Sequence, residues 1–432
     1  MPISATAFAH KENQWTPEQE LLLCAIRTQI DADSAARIQT IVQNGIDWNE
    51  LVELAAGHKV VAILWRTLEK VCPAALPETI RSQLKSQMQV NIQGNLFLTK
   101  ELLHILKLFA QKNITVLPYK GPVLAAAVYN DLTLRPFNDL DILVGEADIV
   151  AAMELLKAHG YRLLRPPAIA QLAEELQAEQ VRKLVAGSSW AYQLVMAHSQ
   201  RGMVVELHWR ITPRFVFAGQ TEELWEDLQA VSVAGSNVAS FSPENLLWFL
   251  CVHGAKHQWE RLSWICDVAQ LLHTYPNLDW SQLAGYAQNK GILRRLSLGI
   301  LLAHELLDAP IPPQLAAQLA AESATDPAVR TLCQNVVTTL FNESETELEQ
   351  SDLAGLPFQL RSMERVGDRL RYLLYIIGLL ITPTSEDRTL LRLPNALSSL
   401  YYLLRPIRLV ASFGYASVRR RLASNTNEAH QS

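Results

Sequence analysis

Three features of this 432-residue sequence predict an α+β fold, with a small mixed sheet flanked by helical N- and C-terminal regions. Apolar residues recur at helical spacing almost without a break from about Trp15 to Lys112. The same pattern resumes beyond Phe241 and persists. Between these regions, Ile114–Pro118, Asp139–Val144 and Val204–Trp209 are short runs rich in β-branched residues or alternating with the two-residue period of strands. The divisions that follow are a helical region 1–112, a sheet-bearing core 113–240, a helical region 241–423 and a disordered tail 424–432. The length leaves room for two or three domains with substantial cores.

Composition narrows the partners. Charged residues make up 19% and the net charge is −5, so global electrostatics give no footprint for nucleic acid, and a small substrate or a protein acceptor is the more natural partner. Cys24, Cys72, Cys251, Cys266 and Cys333 include no CxxC pair, which predicts free buried thiols in a reducing compartment and no zinc site. The first twenty residues lack the basic-then-apolar layout of a secretory signal, so a cytoplasmic protein is expected. The most apolar window, Tyr372–Thr382, is too short for a bilayer-spanning helix and reads as buried or interfacial.

In chain order, Thr16-Pro17 marks the first helix start, with proline at the first helical position. No residue of the N-terminal region argues for chemistry. His58 and Lys59 lie close enough to apolar residues to face a substrate, although helix capping is the plainer role.

The core opens with the strand-like Ile114–Pro118, a turn at Lys120-Gly121-Pro122, a helical VLAAAVY and the strand DLDILV. Asp139 and Asp141 are two residues apart, so both leave one face of that strand while Leu140, Ile142 and Val144 occupy the other. Two carboxylates this close repel each other, an arrangement most easily tolerated around a hard divalent cation such as Mg²⁺. The glycine of the turn lets backbone approach an anion, and Lys120 and Arg135 add cationic contacts suited to a triphosphate. Further on, Ile149–Ala158 is an amphipathic helix ended by Gly160, Tyr161–Arg165 begins a strand, and 166–185 reads as helix. Ser199-Gln200-Arg201-Gly202 then joins two strand-like runs as a hairpin. On its second strand Glu206 shares a face with Val204 and His208, and a place beside DLDILV would aim it at the same metal. His208 either touches the substrate, orders Glu206, or is a satisfied structural histidine.

Past the core, Ser242-Pro243 caps a helix in HGAKHQWERLSWICDVAQLL, where His253 and His257 fall on one side with Lys256 adjacent. These three can clamp nucleotide phosphates or an acceptor, or form a polar network between domains. The run lacks the glutamate of a HExxH zinc protease, Gly254 is expected to interrupt the helix, and Asp267 to pair with Arg261 or Lys256. Further helices follow, Ile292–Leu307 being the clearest, and Glu343–Asp352 reads as an acidic exposed loop. Between Arg361 and Arg421 there are 11 arginines and no lysine against 4 acidic residues. That region would serve as a helical cap whose arginines pair with acidic helices elsewhere, or as a peripheral contact with an acidic membrane surface or a protein.

The motifs KGxxLAxxxY from Lys120 to Tyr129, RPFNDLDILV from Arg135 to Val144 and VVELHW from Val204 to Trp209 resemble the uncharacterised nucleotidyltransferase family of bacterial proteins. The HGxxHxWxRLxWIxD pattern from His253 to Asp267 is similar to that family too. The family belongs to the DNA polymerase β-like nucleotidyltransferase superfamily, and the resemblance runs from about Tyr119 to residue 272, more weakly on both sides. It implies a core in which two aspartates on one strand and a third carboxylate on a neighbouring strand hold Mg²⁺, here Asp139, Asp141 and Glu206. The superfamily's usual glycine-serine pair is replaced by Gly121-Pro122, which removes an N–H donor, and the spacing to the first aspartate is longer than usual. The implied reaction moves a nucleoside monophosphate from a triphosphate, ATP in the first place, to an acceptor on a small molecule or a protein side chain. The alternative is a nucleotide-binding or protein-interaction scaffold that has lost turnover.

Overall fold

The computed structural model describes residues 15–409 except 28, 165–177, 189–190, 215, 218–221, 312–326, 343–354, 384 and 392. The acidic run at 343–352, most of the start of the 166–185 helix and the 424–432 tail therefore lie outside the described residues. The chain divides into two compact units, one of residues 1–164 with 178–369, the other of 165–177 with 370–432.

The first unit begins with helices α1 (Pro17–Ala25), α2 (Ala32–Gln43), α3 (Trp48–Gly57), α4 (Val61–Val71) and the 34-residue α5 (Glu78–Gln111). Thr16 caps α1 through a capping box with Gln19, and Pro17 stands at the first turn where its missing N–H costs nothing. Along α5 the buried positions include Leu98, Leu102, Ile105 and Phe109, spaced for one helical face.

Strands β1 (Val116–Pro118), β2 (Asp139–Val144), β3 (Tyr161–Leu164), β4 (Gln193–His198) and β5 (Val204–His208) form one sheet in the order β1-β2-β5-β4-β3. It is mixed. β2 and β5 run parallel at its centre with Asp141 opposite Glu206, while the other three pairs are antiparallel. Between β1 and β2 the chain forms a short helix α6 (Gly121–Leu124) that widens into a π-turn over Ala125–Tyr129. The helix α7 (Ile149–Ala158) leads to Gly160, whose φ of +88° reverses the chain into β3. α8 (Ala178–Gly187) precedes the β4–β5 hairpin, which turns through residues 199–202 as the sequence predicts. Leu140, Ile142 and Val144 are almost wholly buried, and so is Leu143, so both faces of β2 are covered.

A second, two-stranded sheet of β6 (Leu228–Val233) and β7 (Ser236–Phe241) lies beyond the strands the sequence points to. Its two-residue turn, Ala234-Gly235, has positive φ at both residues (48° and 81°), the type I′ sense that suits a twisted hairpin.

The helices that complete this unit are α9 (Pro243–Lys256), α10 (Leu262–Thr274), α11 (Trp280–Lys290), α12 (Leu293–Leu307), α13 (Ala328–Thr339) and α14 (Leu356–Ser362). Gly254 does not interrupt α9, contrary to expectation; the helix continues through it to Lys256. Its role is spatial. A Cβ there would come within 2.5 Å of the Trp259 ring, and one on Gly299 of α12 within 3.0 Å of it, so the two glycines form the slot that this fully buried indole fills. The five cysteines are all buried thiols.

Helices α15 (Val366–Ile381) and α16 (Ser385–Leu390) follow in the chain. Within the second unit the buried Asp387 accepts from both Arg405 (3.1 Å) and Arg408 (2.6 Å). Both arginines thus have a carboxylate partner inside their own segment. Leu370, Leu374 and Ile377, on one side of α15, are at least half exposed. Among the described residues no helix is long and apolar enough to cross a membrane.

Candidate active site

The backbone pairing decides where the carboxylates meet. Parallel strands put residues in register side by side, so the Asp141–Glu206 pair projects from one face of the sheet and Asp139 from the same face two residues earlier. A cavity of about 320 Å³ opens on that face and is lined by all ten residues singled out from the sequence. Asp139, Asp141, Glu206 and His208 come from the sheet, Lys120, Gly121 and Arg135 from the segment between β1 and β2, and His253, Lys256 and His257 from the end of α9.

Asp141 is the most constrained of these. Its Oδ1 lies 3.0 Å from the Lys120 ammonium and 3.3 Å from Nε2 of His208, and only 3% of the side chain is exposed. Burial works against its charge, but Lys120 and His208 outweigh burial and hold the carboxyl below the usual carboxylate range. Asp139 shifts the other way: burial raises its pKa, and the charges of Asp141 and Glu206 add to the effect. Lys120 is half-buried; desolvation works against its charge, but Asp141, with Glu206 and Asp139, outweighs it, so its pKa is raised and the ammonium persists.

Residues that look alike in the sequence are thus driven apart. Gly121 has φ +55°, and a Cβ there would meet the Asp139 carbonyl oxygen at 3.4 Å, so the turn presses directly against the start of β2.

His208 stands between Asp141 and Glu206, 3.3 and 3.4 Å from their oxygens, and burial is outweighed by these two neighbours so that its pKa is raised. Neither ring nitrogen has hydrogen-bond geometry to any partner, although the residue is 2% exposed. Asp141, Glu206 and His208 each offer one ligand atom, all within 4.8 Å of one another. The residues present therefore fit a divalent cation, with carboxylate oxygens suited to Mg²⁺ and an imidazole nitrogen close by.

Arg135 reaches the cavity from a different anchor. Its Nε donates to both oxygens of Asp267 on α10, at 2.9 and 3.1 Å, and the Tyr129 hydroxyl donates to the same carboxylate at 2.8 Å. The expected partners of Asp267, Arg261 and Lys256, do not take it, because α10 packs against the π-turn and brings a residue 132 positions away instead. Asn95 of α5 fixes the rest of that loop by donating to the carbonyls of Leu132 (2.6 Å) and Arg135 (2.9 Å).

His253 and His257 meet edge to face on one side of α9, with ring centroids 4.8 Å apart. Burial pushes His253 well down and His257 to about 3, with Lys256 and Lys120 adding to both shifts, so near neutral pH both rings are uncharged donors and acceptors. Lys256 donates to the Tyr192 hydroxyl at 2.9 Å.

The cavity walls also include Tyr192 and Trp264, which the sequence does not mark, and Lys59, which lines the cavity although helix capping is its plainer reading. His58 shows why. It caps the C-terminus of α3, as expected of it, and its ring and carbonyl accept from the backbone N–H groups of Leu262 (3.3 Å) and Ser263 (3.2 Å) at the start of α10. That clamp carries Lys59 to the cavity rim.

The family model for uncharacterised nucleotidyltransferases matches residues 44–308. The chain belongs to that family. The match covers more than the motif-bearing stretch from Tyr119 to residue 272, taking in α3 to α5 before it and α11 and α12 after it. A nucleotidyltransferase of this kind thus uses helices on both sides of the sheet as part of the family unit, and the cavity lies wholly within the matched span. No curated protein matches the chain.

Proposed function

We propose that this nucleotidyltransferase moves a nucleoside monophosphate from a nucleoside triphosphate, ATP in the first place, to an acceptor hydroxyl. The bond from the α-phosphorus to its bridging oxygen breaks, a bond to the acceptor oxygen forms, and pyrophosphate leaves. The observation that carries this reading is the in-register Asp141–Glu206 pair with Asp139 on the same face of the cavity. A divalent cation such as Mg²⁺ held by Asp139, Asp141 and Glu206 supplies charge neutralisation at the reacting phosphate.

The chain's own residues do the rest. Lys120, tethered to Asp141, and Arg135, tethered to Asp267, keep fixed positive charge beside the carboxylates, where a polyphosphate's charge must be offset. Gly121, at φ +55°, lets the turn pack against the start of β2 beside the carboxylates. The uncharged rings of His253 and His257, with Lys256, offer hydrogen bonds to nucleotide or acceptor from the opposite wall. Glu206, less buried than Asp141, is placed to receive the acceptor's proton.

One observation favours a second reading, a nucleotide-binding scaffold without turnover: Lys120 already occupies an oxygen of Asp141 that a cation needs. Pyrophosphate release separates the two. Incubation with each ribonucleoside triphosphate, Mg²⁺ and a cell extract is expected to release pyrophosphate from one of them, and Asp139→Ala to abolish the release. Nucleotide binding with no release by the wild type contradicts transfer. A protein acceptor shows as a mass gain of one nucleoside monophosphate, whereas a small-molecule acceptor leaves protein masses unchanged.

A further inference from the structure

Five cations line the cavity, and they are not equivalent. Lys120 has Asp141 at 3.0 Å, Arg135 has Asp267 at 2.9 Å, and Lys256 is held by the Tyr192 hydroxyl. Lys59 and Arg261 differ. Among the described residues, neither has a carboxylate within salt-bridge distance; the Arg261 guanidinium lies 5.5 Å from the Trp264 ring, and Asp139 for Lys59 and Glu260 for Arg261 act from beyond salt-bridge reach. Both are half-buried at the cavity wall, where an uncompensated cation is costly.

The backbone is bent to hold them there. Lys59 has φ +58°, and the turn leading to Arg261 contains Gln258 and Trp259 at +54° and +59°, a conformation uncommon for residues with side chains. His58 clamps the first turn to the N-terminus of α10, where Arg261 stands immediately before the helix. Two like charges, whose mutual repulsion together with burial lowers the Lys59 pKa, are thus drawn together by strained turns from elements about 200 residues apart. An anion held between the two would offset that repulsion.

We propose that Lys59 and Arg261 form an oxyanion subsite that takes a phosphate group, distinct from the charge already spent through Lys120 and Arg135. It builds on the transfer reading in naming phosphate as the anion. The phosphate comes either from the terminal part of the nucleotide or from a phosphorylated acceptor, and binding experiments tell these apart.

The test is calorimetric titration of inorganic tripolyphosphate, without metal, into wild type and into the double variant Lys59→Gln/Arg261→Gln. The double variant is expected to bind at least about tenfold more weakly, given two lost charge-assisted contacts, while Lys59→Arg and Arg261→Lys stay close to wild type. Should the double variant not fold, the single variants Lys59→Gln and Arg261→Gln each carry a smaller loss in the same direction. If the nucleotide tail is the source, ATP weakens in parallel and AMP does not. If a phosphorylated acceptor is the source, ATP is unaffected, and inorganic phosphate binds the ATP-saturated wild type but not the variant. Equal binding of tripolyphosphate and phosphate by variant and wild type, or binding of neither by wild type, overturns the proposal. Because the probe lacks a nucleoside and metal is withheld, this result is independent of turnover, whose own failure would show as absent pyrophosphate release.

Discussion

Asp267→Ala is expected to lower the folding stability by about 3–5 kcal/mol, the cost of leaving a buried charge without its partner. The carboxylate is 1% exposed and receives three hydrogen bonds, two from Arg135 and one from Tyr129. Removing it strands the guanidinium in a site with 14% exposure and the phenol hydroxyl beside it. Replacing both charges by apolar residues of similar size, as in Arg135→Met/Asp267→Leu, is expected to recover most of the loss, since no unpaired charge then remains. Chemical denaturation of the two variants and wild type reads this directly. A loss below about 1 kcal/mol for Asp267→Ala would mean that Arg135 finds another partner or water, as a surface pair does. The same substitution also loosens the loop that leads into β2, so the carboxylates lose their positioning along with the protein's stability.

The second large effect concerns the reaction. Asp141→Asn keeps the side-chain volume but removes the charge that Lys120 and His208 hold in place. Loss of an outer-sphere metal partner costs about 10–100-fold in affinity or activity, so loss of a direct ligand is expected to lower pyrophosphate release by more than about 100-fold. The fold should survive, because the asparagine oxygen still accepts from Lys120. If the variant melts near the wild-type temperature and turns over within about fivefold of it, Asp141 does not hold the reacting centre. Glu206→Gln is the companion experiment, since that residue is in register with Asp141 and less buried.

How far the sequence reached can be read from particular residues. The side-by-side aspartates, the hairpin at 199–202 and the caps at Thr16 and Ser242 follow from local rules of period, turn and capping, whereas the place of Glu206 beside β2 follows from the family resemblance. What was not legible depends on distant packing. No spacing rule links Arg135 to Asp267 across 132 positions, and the true pair appears only when α10 settles on the π-turn. Gly254 reads locally as a helix breaker, whereas its function is to lack a Cβ where Trp259 lies. The β6–β7 hairpin hides because its turn is Ala-Gly rather than the Asn-Gly that signals a type I′ turn. Lys59 can be read from its apolar neighbours as facing a substrate, but which wall it joins depends on the clamp of His58 on α10. Lys120 reads as a phosphate contact from its place beside a glycine turn, and in the structure it donates to Asp141.

The central claim is that the carboxylates of β2 bind a nucleotide through a divalent cation. Calorimetry with each of the four ribonucleoside triphosphates, with and without Mg²⁺, on wild type and on Asp139→Ala/Asp141→Ala, tests it most directly. The account predicts that at least one nucleotide binds wild type only with Mg²⁺ and that the double variant loses this binding. Binding indifferent to both metal and substitution, or no binding by wild type, would contradict it.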